Sequence, residues 1–403
     1  MNKTEFDFDV AIVGAGPAGS LSAHLLAQAG YSVIVLEAAE EIPEKVCGEY
    51  LAPSGTDLMT RLGLEALLSE NFPKLSGMKL VFPAGREVVT TFPAKNGIPS
   101  PGYSLNRKRF DELLASLAQE SGAHFRFGFR VKQLKYSDRV WHLSDSTGAS
   151  LSARILIGAD GRRSIVARQL GLTRPVKTSR VALHGFLPAT TKEPRRGEMH
   201  IFPDASYVGL NPVSESLVNF AIVCNAETIK NHGGPFNVLN HYFRQSPALM
   251  RKFGELPPSV EIRSTYPIRH DVLECVADQM ALVGDAGGFL DPLTGEGINN
   301  ALWMASELSS HLAAAKASGG GEEALQKGLR AYALAKRQHF RQKSNLNRIF
   351  QFIIRAPFLA EASGKFLGKH QERADTFIGV IGNVYTPLKG LRLMLHTLLP
   401  GHH

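Results

Sequence analysis

Gly14-Ala15-Gly16-Pro17-Ala18-Gly19 is a stretch that can hold a phosphate with backbone alone. Gly14 allows a tight turn, Gly16 has no side chain to keep a pyrophosphate off the backbone, and Gly19 lets a helix lie close to a strand. The unpaired N–H groups of that helix's first turn would face the phosphates, with the positive end of the helix dipole behind them. Glu37 is placed to accept hydrogen bonds from an adenosine ribose. The chemistry expected of this set is dinucleotide binding, and the motif does not say which dinucleotide.

Such residues need strands and helices to present them. Val10 to Val13 is an apolar run suited to a buried parallel strand, and Ser20 to Ala29 reads as a helix stopped by Gly30. Val33 to Leu36 is a second apolar strand and ends on Glu37, completing a βαβ unit. Further on, Leu105 to Glu120 predicts a helix, and Leu151 to Ile157 a strand that runs into Asp160-Gly161. Gln279 to Val283 predicts another strand. It leads through Gly284-Asp285 and a turn-rich run, Pro292 to Asn300, into a long helix ending near Ala317. Between these pieces, Lys79 to Phe82, Glu87 to Phe92, Val181 to Leu187, Glu198 to Phe202, Ser206 to Leu210, Leu217 to Val223 and Val260 to Pro267 read as strands. Their near-alternation suggests an antiparallel sheet with one face on a core. A helix is expected over Val238 to Lys252, and several more after Ser318-Gly319-Gly320-Gly321.

Composition narrows the class. A chain of 403 residues suits two or three packed units, and 44% hydrophobic with 20% charged residues is ordinary for a globular enzyme. Cys47, Cys224 and Cys275 are odd in number and widely spaced, which predicts neither a disulfide framework nor a metal set and fits a reducing cytoplasm. An acidic N-terminus and the lack of a run of about 18 apolar residues predict neither a secretory signal nor a spanning helix. The net charge of +8 is uneven. From Lys336 onward eleven Lys or Arg face only Glu361, Glu372 and Asp375, so the rest of the chain balances to zero.

Three separated stretches together carry a family resemblance: the first glycine loop, Asp160-Gly161 and Gly284-Asp285. In order and spacing, over roughly residues 8 to 315, the chain resembles the FAD-dependent superfamily of p-hydroxybenzoate-hydroxylase-type monooxygenases and geranylgeranyl reductases. The resemblance implies an α/β protein with a Rossmann-like FAD-binding domain (1–75, 102–175 and 270–320). It adds an inserted antiparallel β-sheet substrate domain (76–101 and 176–269) and a basic helical C-terminal segment (321–403). It implies that Asp285 holds the ribityl or pyrophosphate part of FAD, with Gly284 and Pro292 in the same loop. Gly295, Gly297, Ile298 and Asn299 would offer backbone N–H groups to the flavin N1 and C2 carbonyl, where reduced flavin carries negative charge. Arg107, in an Arg-x-x-Phe-Asp pattern, matches an arginine near the FAD phosphates, and Val131 a position whose backbone meets the adenine. With one glycine motif taken by FAD, an NAD(P)H donor would have to dock in a shared cleft.

The reaction is read from finer detail. Pro292-Leu293-Thr294-Gly295-Glu296-Gly297-Ile298 looks like the turn of the geranylgeranyl reductases, and Lys45-x-Cys47-Gly48 looks like their Cys-Gly segment near the isoalloxazine. Cys47 as proton donor, with Glu296 either near the substrate or orienting the loop, would suit saturation of a carbon–carbon double bond in a hydrophobic molecule. The reductases' aromatic substrate strand is missing, and Tyr207-Val208-Gly209-Leu210-Asn211-Pro212 stands closer to hydroxylases, so hydroxylation of an aromatic or polyketide-type substrate is the alternative. A non-catalytic flavin-binding electron-transfer partner is a third reading. Trp141 and Trp303 do not form the halogenase tryptophan motif. His184, Tyr207 and Asn211 are candidate polar contacts in the substrate cavity. Nucleic-acid binding is not expected, since no binding module is present. The tail, with Leu391, Leu395 and Leu398 on one helical face, is expected to cap the catalytic body. The competing reading docks it on the inner face of an anionic membrane.

Overall fold

The computed structural model describes residues 6–94, 100–176, 178–189, 195–266, 268–289 and 291–396. Val10, Ala11 and Ile12 are fully buried, as a strand covered on both faces requires. Their strand, Phe8–Val13, runs parallel to Val33–Leu36 on one side and to Ser150–Gly158 on the other. Met280–Leu282 joins parallel beyond Ser150–Gly158, and His124–Arg126 joins parallel beyond Val33–Leu36. The turns after Val13, Leu36, Gly158 and Leu282 therefore leave one edge of one sheet. That is the carboxyl edge, where open parallel sheets bind ligands. A hairpin, Gln133–Ser137 with Val140–Ser144, extends the sheet antiparallel to Ser150–Gly158. The chain between His124–Arg126 and this hairpin is loop until Gln133.

The helix Pro17–Gln28 begins directly on the glycine loop. Gly14 has φ +104°, and a methyl group on Gly19 would lie 2.0 Å from the Gly14 carbonyl oxygen. Helix and strand thus approach to a distance that only glycine permits.

The inserted sheet runs in the order Arg263–Thr265, Arg180–Pro188, Leu217–Asn225, Tyr207–Pro212, Gly197–Ile201, Met78–Val81 and Glu87–Val89. All neighbours are antiparallel except Gly197–Ile201 beside Met78–Val81, which pair parallel because the chain leaves for the nucleotide half between them. The expected long helix is two, Pro235–Gln245 and Pro247–Phe253, broken where Ser246 precedes Pro247 and caps the Leu249 N–H at 3.4 Å. Val260 to Pro267 contracts to Arg263–Thr265, and Pro267 itself lies outside the described residues.

After the long helix Gly297–Ala317 come Glu322–Arg355, Pro357–Leu367, Gln371–Ile381 and Pro387–His396. Ala360, Leu367 and Ala374 pack on Leu80, Phe82 and Val88 of the inserted sheet. Leu391 is half exposed, while Leu398 and the side chain of Leu395 lie outside the described residues. The tail also reaches back to the turn before Gly297. Lys343 Nζ, 7% exposed, lies 2.6 Å from Glu296 Oε1 and 2.9 Å from Asn300 Oδ1. Asn383 donates to the same Glu296 oxygen at 2.6 Å, and Asn347 donates to the Asp291 carbonyl at 3.1 Å.

Two stability measurements follow from these contacts. Gly19→Ala should lower the urea-unfolding free energy by about 1–3 kcal/mol, the usual cost of overpacking. Lys343→Met strands a buried carboxylate and should cost about 3–5 kcal/mol, part of which the added Glu296→Gln change restores.

Candidate active site at the carboxyl edge of the parallel sheet

A cavity of about 850 Å³ opens along that edge and continues beneath the inserted sheet. Gly14, Gly16, Pro17, Ala18 and Glu37 line it from the βαβ unit, and Val131 from the loop before the hairpin. Asp160, Gly161, Gly284 and Asp285 line it from the next two strand ends. Pro292, Gly295, Gly297 and Ile298 come from the turn before the long helix, and Lys45, Cys47, Gly48 and Arg107 close the opposite side. Sequence positions as far apart as 14 and 298 are therefore brought to one wall.

Four expected site residues do not line the cavity. Ala15 spends its N–H on Glu37 Oε2, 3.0 Å away, and Gly19 is packed under Gly14. Asn299 turns its side chain to Ser54, with Nδ2 donating to Oγ at 2.7 Å, and so anchors the helix Pro53–Arg61. Glu296 takes one of its two expected roles. Its carboxylate takes Thr294 Oγ1 at 3.0 Å together with Lys343 and Asn383, and it faces the tail helices. These contacts orient the loop.

Glu37 ties the first loop to the second strand, since its Oε1 also accepts the Ala39 N–H at 3.1 Å. Lys45 leans over the glycine loop, with Nζ 3.4 Å from where a Gly16 side chain would begin. It completes an anion site already formed by the helix N-terminus. Asp160 caps the short helix Ile165–Gln169 through Oδ2, which accepts the Ile165 N–H at 2.6 Å, while its Oδ1 is buried with no hydrogen-bond partner among the described residues. Burial raises the Asp160 carboxyl, against the Ser164 hydroxyl and backbone donors. Burial likewise raises Asp285, opposed by Arg162, whose Nε lies 3.8 Å away.

The loop Lys45–Glu49 bridges the two halves of the site. Asn211 and Asn219 sit opposite each other on adjacent strands of the inserted sheet. Asn219 Nδ2 donates to the Cys47 carbonyl at 3.3 Å, and Asn211 Nδ2 to the Gly48 carbonyl at 3.4 Å and to the Glu49 carbonyl. Cys47 Sγ accepts from the Glu49 N–H at 3.2 Å and from Arg107 Nη1 at 3.3 Å. Arg107 is itself fixed by paired bonds to Asp111, 3.1 and 3.0 Å long. Burial pushes the Cys47 thiol up against the pull of Arg107, so it remains protonated at neutral pH. Glu49 adopts φ +51°, a left-handed conformation that a side chain rarely takes. Its carboxyl is pushed up to about 8 by burial, against the Arg107 N–H and guanidinium. Its Oε1 accepts the Arg107 N–H at 3.3 Å, and its Oε2 is buried with no hydrogen-bond partner among the described residues.

Glu49, Arg162, Asn219 and Lys343 escape sequence reasoning because each owes its place to contacts across long stretches of chain. Of the candidate cavity contacts, Tyr207 lines the wall and donates to Asp291 Oδ1 at 2.7 Å, and Asn211 also lines it. His184 is buried elsewhere, with neither ring nitrogen hydrogen-bonded among the described residues and its imidazole pushed down to about 4 by burial and by Arg263.

These residues fit FAD. Two helix N-termini open into one cavity, the glycine loop leaves room that a side chain would fill, and Asp160 Oδ1 and Glu49 Oε2 are buried with no hydrogen-bond partner among the described residues. Comparison with known proteins agrees. The family model described as "FAD binding domain" matches residues 7–343. The menaquinone reductase of Mycolicibacterium smegmatis is 26% identical over 94% of this chain and 92% of its own length. The digeranylgeranylglycerophospholipid reductase 1 of Methanothermobacter thermautotrophicus is 30% identical over 78% of this chain and 79% of its own. Among solved structures, the flavin-dependent brominase Bmp2 superposes with a TM-score of 0.81 at 18% identity, covering 97% of this chain and 98% of that one, which is a likeness of fold. The α/β architecture, the carboxyl-edge cavity and these matches lead to one conclusion: the chain belongs to the FAD-binding domain family and is an FAD-dependent oxidoreductase.

Proposed function

We propose that the protein saturates a carbon–carbon double bond in an elongated apolar substrate, using electrons that NAD(P)H delivers through FAD. The observation that carries this reading is the Cys47 thiol, held protonated between Arg107 and the Glu49 N–H where the cofactor loops meet the inserted sheet. Beyond that point the cavity wall is mostly apolar, with Met78, Leu80, Phe82 and Met199 from the sheet and Ile353 and Phe377 from the tail. Bound FAD would supply a hydride to one alkene carbon. The chain's own part is then the proton, which leaves Cys47 Sγ for the neighbouring carbon while Arg107 stabilises the thiolate left behind. A neutral Glu49 places no second negative charge beside that thiolate. The donor would enter the same cleft, because the single glycine loop is committed to FAD. Both sequence relatives are reductases by name, which supports the direction of the chemistry.

Trp141 and Trp303 lie away from the cavity, Trp141 bonded to the Asp278 carbonyl and Trp303 stacked on His339, which offers nothing to a halogenase reading. The deciding experiment is single turnover of the pre-reduced holoprotein with a polyprenyl alkene under anaerobic conditions. Reoxidation of FAD with formation of the saturated product is expected. Reoxidation that requires oxygen and yields a hydroxylated product would instead establish a monooxygenase.

Two variants test the proton chemistry. Cys47→Ala should slow alkene turnover by on the order of 10²-fold in single-turnover assays, with FAD content and FAD reduction unchanged. The second concerns Glu49, which holds its proton in the fold up to about 8 but releases it near 4.5 when unfolded. The unfolded chain loses the proton first, so wild-type stability falls between those two values. Glu49→Gln removes that decline, and urea midpoints measured at the two ends of the window should diverge in its favour.

A further inference from the structure

Among the described residues, the large apolar side chains left in solvent gather on the C-terminal helices, with Phe352 67% and Phe358 80% exposed. On the helix Glu322–Arg355, Arg341, Arg348, Phe352 and Arg355 are exposed and spaced at seven, four and three residues, with Ile349 beside them. That spacing makes one stripe along the solvent face that carries three cations and an aromatic ring. The opposite face of the same turns carries Phe350, Ile353 and Ile354 into the apolar cavity. A single helix therefore separates the cavity from the exposed stripe. Phe358 continues the apolar surface just across the elbow at Ala356–Pro357. The whole of the protein's net positive charge lies in this tail. No described helix is long and apolar enough to cross a membrane, so a lipid contact here would lie along the surface.

We propose that this elbow docks on an anionic lipid bilayer, with Phe352 and Phe358 entering the acyl region and Arg341, Arg348 and Arg355 resting on the headgroups. Charge decides the occupant. A second copy of this chain would bring one basic stripe against another, whereas an anionic leaflet complements it. The inference rests on exposed side chains and stands whether or not the alkene reading does.

The test is flotation of the full-length holoprotein with vesicles of phosphatidylcholine alone or mixed with phosphatidylglycerol. Wild type should float with the anionic vesicles at low salt and stay behind with the neutral ones. Phe352→Asp with Phe358→Asp should abolish flotation while FAD content and turnover of a detergent-dispersed substrate are kept. Changing the three arginines to Gln should lower the partition coefficient by on the order of a hundredfold. No flotation with anionic vesicles, or flotation that the double Asp variant leaves intact, would overturn the proposal. So would light scattering that shows a wild-type dimer which the same variant converts to monomer.

Discussion

The turn from Asp291 to Gly297 is held from two sides, and the site depends on that grip. From the inserted sheet, Tyr207 bonds Asp291 Oδ1 and Arg180 stands 3.6 Å from the same carboxylate. From the tail, Asn347 holds the Asp291 carbonyl, and Lys343 with Asn383 holds Glu296. Gly295, at φ +65°, turns the chain between these anchors, where a side chain would strike the Tyr50 ring. The first turn of the Gly297–Ala317 helix, whose Gly297 and Ile298 line the cavity, is thereby anchored from both sides. Such preorganisation is what stabilising a developing negative charge requires.

A second joint links the halves by another route. The Lys45–Glu49 loop belongs by sequence to the nucleotide-binding half, yet its carbonyls hang from two asparagines on the inserted sheet. Its one thiol and its one strained carboxyl are thus placed by the far domain, while Arg107 reaches them from the near one. The cost of a non-glycine residue at positive φ, about 1–3 kcal/mol, is offset by these contacts. Strain kept at such a place belongs with function more readily than with folding alone.

What could be read from the chain beforehand was whatever needs a particular residue for a local reason. Gly14 and Gly19 are legible because no side chain fits where they stand, and the buried strands because their apolar runs are short and bounded. The three loops were recognisable as partners only through their family likeness, since nothing local says that Gly158 and Leu282 end at the same edge. The choice between the two roles open to Glu296 is illegible for the same kind of reason: its partners Lys343 and Asn383 lie far along the chain and no pattern announces them. The split of the Val238 to Lys252 helix has a local cause, Ser246-Pro247, since a residue before proline leaves the helical conformation. Asn211 and Asn219 look like ordinary strand residues until the register sets them face to face.

The position of Lys343, Asn347 and Asn383, far C-terminal to the glycine loop, has a consequence for assembly. A polypeptide emerging from the ribosome presents the glycine loop and Glu37 early, and the residues that fix the turn at Gly295 follow much later. Completion of the cavity is thereby divided in time: its first loop is synthesised well before the helices that hold its last turn.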